Sequence, residues 1–214
     1  MPTINIGNNT GNSGSVVVSY LTGDDPETVY SSLSWFAAGP RFSSKYKGLM
    51  RFDLSDIPSV SVLTINSATL YLYDQNPVGR TSSTTTTLHE VSTANGDWLK
   101  SSAVWNYKVY NTVTWAGSSG LETSGTDYVD TLLGNHLYVD GTSGYGTGIS
   151  LNSSGLAVIK KWAGTTGGNG LLVYASSVGA SYTIFDSELG INGRRPYLSI
   201  NYTTSSPFPG GRLI

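Results

Sequence analysis

The sequence predicts an all-β protein, an antiparallel β-sandwich with one short helix. Only 12% of the 214 residues are charged, and the chain contains 26 glycines and 14 tyrosines, a composition that disfavours helical bundles and coiled coils. Short runs rich in β-branched and aromatic residues recur between clusters of turn-forming residues, which is typical of a sandwich. One segment replaces the two-residue alternation of strands with helical spacing.

The chain is long enough to bury the core of one large β domain. Residues 1–15 are mainly Gly, Asn, Ser and Thr, with only Ile4 and Ile6 available to pack, so they are predicted to form an N-terminal arm. The folded domain is predicted to span 16–203. Residues 204–214 contain two prolines and two adjacent glycines and are predicted to form a C-terminal tail.

The strands are predicted from their alternation and from the turns between them. In the first quarter of the chain, Met50 and Phe52 fall on one side of a strand, and Leu49 and Arg51 fall on the other. This pattern predicts one face in the core and one face in solvent. The predicted strands are 16–21, 33–38, 45–54, 68–73, 84–91, 128–133, 171–175, 182–185 and 196–202.

The helix is predicted over 153–163, where apolar residues recur at helical spacing. Ser153 or Ser154 is predicted to cap its N-terminus, and Gly164 is predicted to end it. The residues of the apolar stripe are Leu156, Ile159 and Trp162.

Charge and composition exclude several classes of protein. The 12 basic and 14 acidic side chains give a net charge of −2, so no strong field attracts nucleic acid. No apolar run approaches the roughly 18 residues that span a bilayer, and the first ten residues lack the basic and apolar regions of a signal peptide. Without cysteine, the chain forms no disulfide and no cysteine-type zinc site.

Four stretches, in order along the chain, resemble the DNRLRE-type domain. The most specific is KGLMRFDLSDIP at 47–58, followed by INSATLYL at 65–72. An opening element, DPETVYSSL at 25–33, has Ser31 where the family usually has glycine. The other matching residues are Trp98, Trp105, Asn106 and Trp115, and the segments 156–162, 170–172, 185–188 and 195–202.

The resemblance implies a jelly-roll β-sandwich. Domains of this family occur in carbohydrate-binding modules beside polysaccharide lyases, in cell-surface proteins and in phage virion proteins. Large aromatic residues dominate sandwich cores. The tryptophans at the matched positions are therefore assigned mainly to packing: Trp98, Trp105, Trp115 and Trp162.

A short cationic stripe is predicted on one strand. The alternation places Lys45, Lys47 and Arg51 on one strand face, and Arg41 lies nearby in the chain. Such a stripe suits an acidic polysaccharide, although lysines also protect edge strands against pairing. For Arg51 the alternative to a uronate ligand is an internal ion pair with Glu188.

Aromatic residues in the same region are candidates for stacking on sugar rings, because the apolar faces of sugars suit aromatic planes. These residues are Trp35, Tyr46 and Tyr30. The predicted glycan-binding set is therefore Arg41, Lys45, Lys47, Arg51, Trp35 and Tyr46.

A structural calcium ion is one hypothesis for the acidic loop that contains Asp24, Asp25 and Glu27, because carboxylate oxygens are ligands that Ca²⁺ prefers. The alternative is a turn capped by Asp. No other cofactor is expected. For catalysis the chain offers two histidines and no nucleophile elbow, and nothing distinguishes the Asp186/Glu188 carboxylates from an ordinary strand edge. The prediction is a protein without enzymatic activity.

Two functions remain open. The first is a phage virion-surface protein, such as a head decoration, a fibre or a tail-associated module, that touches host glycans and assembles with neighbouring subunits, with a homotrimer favoured. Its predicted assembly residues are Phe208, Leu213 and Ile214. The alternative is a carbohydrate-binding module for an alginate-like acidic polysaccharide, from a secreted polysaccharide-degrading enzyme. Both place the protein on a virion surface or outside the cell, without a membrane or nucleic-acid partner.

Overall fold

The computed structural model describes residues 2–41, 44–59, 63–75, 82–166, 168–176 and 182–204. The predicted fold class is confirmed, because the described residues form antiparallel sheets and one short α-helix. The strands are β1 Thr3–Gly7, β2 Val16–Thr22, β3 Trp35–Arg41, β4 Ser44–Phe52, β5 Leu63–Tyr71, β6 Thr84–Glu90, β7 Tyr107–Val109, β8 Val113–Thr114, β9 Gly134–Tyr138, β10 Ile149–Ser150, β11 Leu171–Ser176, β12 Thr183–Asp186 and β13 Tyr197–Thr204.

The strands form two main sheets. The small sheet has the order β1-β13-β5-β10, and the large sheet has the order β12-β3-β4-β11-β6-β9, with β2 paired to β4. A separate hairpin joins β7 and β8. The main core lies on one face of β4, where Met50 and Phe52 are buried as the alternation predicts. The helix α1, Ser153–Trp162, packs against β5.

Strand β1 corrects the prediction of an N-terminal arm. Thr3–Gly7 pairs with β13 through a continuous antiparallel ladder, and Ile6 is completely buried in the main core. The polar composition of 1–15 concealed this strand because a sheet edge is bonded through the backbone, which every residue except proline can donate and accept.

The helix is confirmed, with a different N-cap from the predicted serines. Asn152 has extended backbone angles, and its side-chain oxygen accepts a hydrogen bond from the Gly155 N–H at 3.0 Å. Asparagine is as good a cap as serine. Ile159 and Trp162 of the predicted stripe are buried, and Gly164 follows the helix with a φ of +72°.

A long segment between β6 and β9, residues 91–133, is named here the insert. The strand predicted at 128–133 does not form; β9 begins at Gly134 instead. The insert packs on the outward face of the large sheet and buries Leu49 and Leu172 there. The prediction that this face contacts solvent is therefore wrong. The insert supplies several apolar residues to this second core: Val91, Trp98, Ala103, Trp115 and Leu121.

Asp127 holds the insert together from within. Its carboxylate is completely buried and accepts hydrogen bonds from the backbone N–H groups of Gly117, Ser118 and Thr123 and from the side chain of Asn95. Burial raises the pKa of Asp127, but these hydrogen bonds outweigh burial and hold the pKa below its ordinary value. Asp127 thus joins separate parts of the insert through hydrogen bonds, in addition to the apolar contacts of the second core.

The packing role of the tryptophans is confirmed: Trp98, Trp115 and Trp162 are buried, and Trp105 packs against the second core. Within the described residues, no helix has the length and apolar character needed to cross a membrane. Of the predicted tail, Thr204 ends β13. The predicted assembly residues Phe208, Leu213 and Ile214 lie outside the described residues.

Candidate functional site

A cleft of about 480 Å³ opens beside the main core, a size within the range of about 300–1,000 Å³ that is typical of small-molecule sites. It is named here the aromatic cleft. Strands β2, β3, β4 and β12 and the loop between β2 and β3 contribute its walls. The residues that line it are Tyr20, Thr22, Asp24, Asp25, Tyr30, Leu33, Trp35, Ala37, Tyr46, Tyr182 and Ile184.

The rings of the cleft pack against one another. Tyr20 stacks on Tyr30, with 4.5 Å between ring centroids, and on Trp35, with 5.5 Å. Tyr46 lies 5.8 Å from Tyr182 in a tilted arrangement. Tyr20 and Tyr46 are only 3% and 6% exposed and form the floor. The rings of Tyr30, Trp35 and Tyr182 are half-buried and leave part of their surface to a ligand.

Two carboxylates anchor the tyrosine hydroxyls. The Tyr30 hydroxyl donates to Asp25 Oδ2 at 2.8 Å, and the Tyr46 hydroxyl donates to Asp24 Oδ2 at 2.5 Å. Burial and then the Asp25 hydrogen bond raise the pKa of Tyr30 to about 12. Tyr30 therefore stays protonated at neutral pH and keeps donating to Asp25.

The calcium hypothesis receives no support from this arrangement. Glu27 is exposed and does not line the cleft that Asp24 and Asp25 share. In the part of the chain that the structure describes, no three His, Cys, Asp or Glu side chains are grouped to hold a metal ion. Structural calcium stays a prediction from the sequence.

Strand β3 lies between β12 and β4 and pairs with them at different points along its length. Residues 35–38 pair with β12, whereas Gly39, Pro40 and Arg41 pair with β4. The β4 ladder begins at Gly39, whose φ of +118° is rarely adopted by residues with a Cβ atom. Trp35 and Ala37 on one side of Gly39 and Tyr46, its β4 partner, all line the cleft.

The cationic stripe lies on the other face of β4. Lys45, Lys47 and Arg51 share that face as predicted, but Lys47 is only 5% exposed. Its ammonium group donates to the Leu121 carbonyl at 2.7 Å and lies 2.7 Å from Glu122 Oε1. Lys45 pairs with the other oxygen of Glu122. Both lysines are therefore occupied by the insert.

Burial lowers the pKa of Lys47, although Glu122 opposes this effect. The hydrogen bond that Lys45 donates to Glu122 raises the pKa of Lys45, which is more exposed than Lys47. Beside these groups the insert leaves a small cavity of about 140 Å³ that His89 and Tyr128 also line. Such a space is far smaller than the aromatic cleft and suits water better than a sugar ring.

The predicted Arg51–Glu188 ion pair is wrong. The Arg51 guanidinium donates to the Gly96 carbonyl at 2.6 Å and lies over the Trp98 ring at 4.7 Å. Glu188 pairs with Lys100 instead. The insert contributes Gly96, Trp98 and Lys100, and no pattern in the sequence indicates that it covers this face.

The predicted glycan-binding set is thus divided between two faces of the sheet. Trp35 and Tyr46 belong to the aromatic cleft, and Lys45, Lys47 and Arg51 lie under or beside the insert. For Arg41 the structure describes only the backbone, which ends β3.

Sequence reasoning missed Tyr20 and Tyr182 as members of the cleft. Tyr20 was detectable, because alternation along β2 places it on the same side as Val16 and Val18. Tyr182 begins the predicted strand 182–185, where alternation places it on the same side as Ile184, and both residues line the cleft. The carboxylates of Asp186 and Glu188 are both buried and do not form an exposed catalytic pair. A scan against protein-family models finds no match for this chain, and a search of curated proteins finds none.

Proposed function

We propose that this protein is a non-catalytic carbohydrate-binding module that holds a neutral sugar ring of a surface glycan in the aromatic cleft. The observation that supports this proposal most strongly is the half-buried ring of Trp35 beside Tyr20 and Tyr30. Sugar rings present apolar C–H faces, and aromatic planes bury these faces with little loss of conformational entropy.

The polar groups of the cleft fit the same ligand. Asp24, Asp25 and Thr22 line its wall among apolar side chains. A few polar groups in a mostly apolar cleft are the usual arrangement of a small-molecule site. Carboxylate oxygens accept hydrogen bonds from sugar hydroxyls but repel a carboxylate on the sugar. The wall therefore favours a neutral ring over a uronate in this cleft.

The stripe gives weaker support to binding of an acidic polysaccharide. Lys47 is buried against Glu122, and Arg51 is occupied by backbone carbonyls of the insert. To bind an acidic sugar, Lys47 would have to give up its ion pair with Glu122 and a buried hydrogen bond, and the free-energy cost of breaking them would weaken binding. This leaves Lys45, itself paired with Glu122, as the exposed lysine of the stripe.

Location and assembly remain proposals from the sequence. A glycan-binding module on a phage virion or in the extracellular space, with neighbouring subunits of a homotrimer, agrees with the proposed site. The position of the aromatic cleft leaves both locations open. Light scattering on the full chain distinguishes a trimer from a monomer.

Isothermal titration calorimetry against neutral oligosaccharides, selected on a glycan array, tests the proposed function. We expect Trp35→Ala to weaken binding by about tenfold or more, because a central aromatic contact is lost. Tyr110→Ala is the matched control: Tyr110 is 43% exposed on the insert and lies outside the cleft. Equal affinity of Trp35→Ala and the unmodified protein, with both folded by circular dichroism, would contradict the proposal.

A further inference from the structure

A second cleft, of about 460 Å³, lies where β3 begins and β12 ends. It is named here the Arg194 cleft. Ser34 belongs to it and directly precedes Trp35 of the aromatic cleft. Asp186 also lines it and is the partner of Trp35 in the β3–β12 ladder. The two clefts therefore adjoin at Trp35.

Arg194 differs from the other arginines whose side chains the structure describes. Arg51 and Arg195 donate to backbone carbonyls, in the case of Arg195 to Gly190 and Asn8 at 2.9 Å. Arg194 is exposed, and in the described residues its guanidinium has neither an ion pair nor a hydrogen bond. Its five N–H donors are therefore not used by any other residue that the structure describes.

The guanidinium of Arg194 is nevertheless positioned. It lies over the ring of Tyr73, with 4.7 Å between the guanidinium carbon and the ring centroid. Stacking of this kind restricts a long side chain and leaves the edge of the guanidinium plane open. A planar fork of donors matches the two oxygens of a carboxylate.

The floor of the cleft explains why Arg194 stays near its mouth. Asp186 is only 3% exposed, and Gln75 donates to its Oδ1 atom. Its Oδ2 atom is buried without a hydrogen-bond partner among the described residues. The charge of Arg194 opposes that of Asp186, which offsets the repulsion between Asp186 and an acidic ligand. A ligand that approaches from solvent meets the exposed arginine before the buried carboxylate. Ser34 and Ser143 add hydroxyl groups at the mouth.

We propose that the Arg194 cleft binds the carboxylate of a uronic acid, so that the preferred glycan places an acidic sugar beside the neutral sugar of the aromatic cleft. This inference rests on the proposed function of the aromatic cleft. It transfers the recognition of acidic sugars from the cationic stripe of β4 to Arg194. The ligand class is an acidic heteropolysaccharide with neutral and uronic residues in close succession.

The test compares two forms of one oligosaccharide, in which glucuronic acid alternates with a neutral hexose: the native form and a form whose carboxylates are reduced to alcohols. We expect the native form to bind about tenfold more tightly, the contribution of one charge-assisted pair. Arg194→Gln should remove this preference and leave the affinity for the reduced form unchanged. Lys160→Gln, an exposed change of equal charge on α1, is the control.

Each outcome has one consequence. Equal affinity of the unmodified protein for both forms, or a preference that survives Arg194→Gln, would overturn the Arg194 cleft as an acid site. Binding of the reduced form that survives Trp35→Ala would overturn the aromatic cleft instead. Failure of both forms to bind would contradict both proposals. Arg194→Lys retains the charge but loses the fork, and we expect it to recover only part of the preference.

Discussion

The two faces of strand β4 differ in what covers them, although they are built from alternate residues of one segment. Tyr46 points into the aromatic cleft, which is open to a ligand. Lys47, the next residue, points to the opposite face and is buried against Glu122 and Leu121 of the insert. Alternation assigned the faces correctly, but the availability of each face depends on a segment that lies more than seventy residues away in the chain.

The difference shows that neighbours in sequence can belong to different sites: Tyr46 lines the aromatic cleft, whereas Lys47 is paired with Glu122 on the opposite face. The insert satisfies the cations of the outward face, so these cations stabilise the fold. On the opposite face, the rings of Tyr30, Trp35 and Tyr182 are packed against the core but incompletely covered. Changes on the outward face should therefore affect stability, and changes in the aromatic cleft should affect binding.

The largest expected effect is that of Asp127→Asn on stability. An amide cannot accept all the hydrogen bonds that the carboxylate accepts, and its NH₂ group would face backbone N–H donors. We expect the free energy of unfolding to fall by roughly 3 kcal/mol. Urea denaturation measures this change. Asp130→Asn, an exposed change in the same insert, is the control and should have little effect.

Acid should loosen the insert before the sandwich. The folded pKa values of Asp127 and Glu122 are depressed, mainly because hydrogen bonds outweigh burial. Their contribution to stability is present above their unfolded pKa values of about 4 and is lost as pH falls through the lower folded values. Hydrogen exchange at pH 3 should show faster exchange in the insert than in β5 and β13. Uniform exchange across both regions would contradict this account.

Gly39→Ala should affect the aromatic cleft. A residue with a Cβ atom is strained at a φ of +118°, at a cost of about 2 kcal/mol. Because Gly39 joins the part of β3 that contains Trp35 and Ala37 to the part that pairs with β4, we also expect weaker binding of neutral oligosaccharides. Gly125→Ala is the matched control, since Gly125 has a φ of +79° and open space around it. It should destabilise the protein without loss of binding.

Glu122→Gln should reduce stability by roughly 1–2 kcal/mol, less than for a fully buried pair because Glu122 is partly exposed. The change removes the negative charge beside Lys47, whose pKa is already lowered by burial. A buried amine releases its proton more easily in the folded state, so stability rises with pH up to the unfolded pKa of about 10.4.

The loss of unfolding free energy caused by Glu122→Gln should therefore be smaller at pH 10 than at pH 7. Urea denaturation across that pH range measures this loss. Glu27→Gln, an exposed change, is the control. A deficit that is the same at both pH values would show that Lys47 is not the group affected.

Lys45→Gln should have the smallest effect. Half of the Lys45 side chain is exposed, and exposed ion pairs contribute only about 0–1 kcal/mol. We expect the free energy of unfolding to change by less than about 0.5 kcal/mol. Affinity for glycans should not change. A tenfold loss of affinity for an acidic glycan would restore the cationic stripe as a binding site.

The sequence was sufficient for local features of the fold. Alternation assigned Met50 and Phe52 to the core, and helical spacing located α1 within one residue at each end. It missed β1, because Thr3–Gly7 gains its structure from a ladder with β13 almost two hundred residues away. Such pairing is made by backbone groups, so the pattern of side chains in the sequence does not reveal it.

For the candidate site, the sequence named part of the cleft and assigned to it cations that belong elsewhere. Trp35 and Tyr46 were predicted because aromatic planes suit the apolar faces of sugar rings. Glu122 was missed as the partner of Lys45 because 77 residues separate the two in the chain. Arg194 was missed because nothing in the sequence distinguishes it from its neighbour Arg195. The fold shows that its guanidinium is stacked on Tyr73, without a hydrogen bond or an ion pair to the other described residues.

The most direct test of the central claim is a glycan array probed with the unmodified protein, Trp35→Ala and Lys45→Gln. If the aromatic cleft is the binding site, Trp35→Ala loses the glycans that the unmodified protein binds, and Lys45→Gln retains them. The reverse result, with binding abolished by Lys45→Gln and preserved in Trp35→Ala, would contradict the account and assign glycan recognition to the outward face.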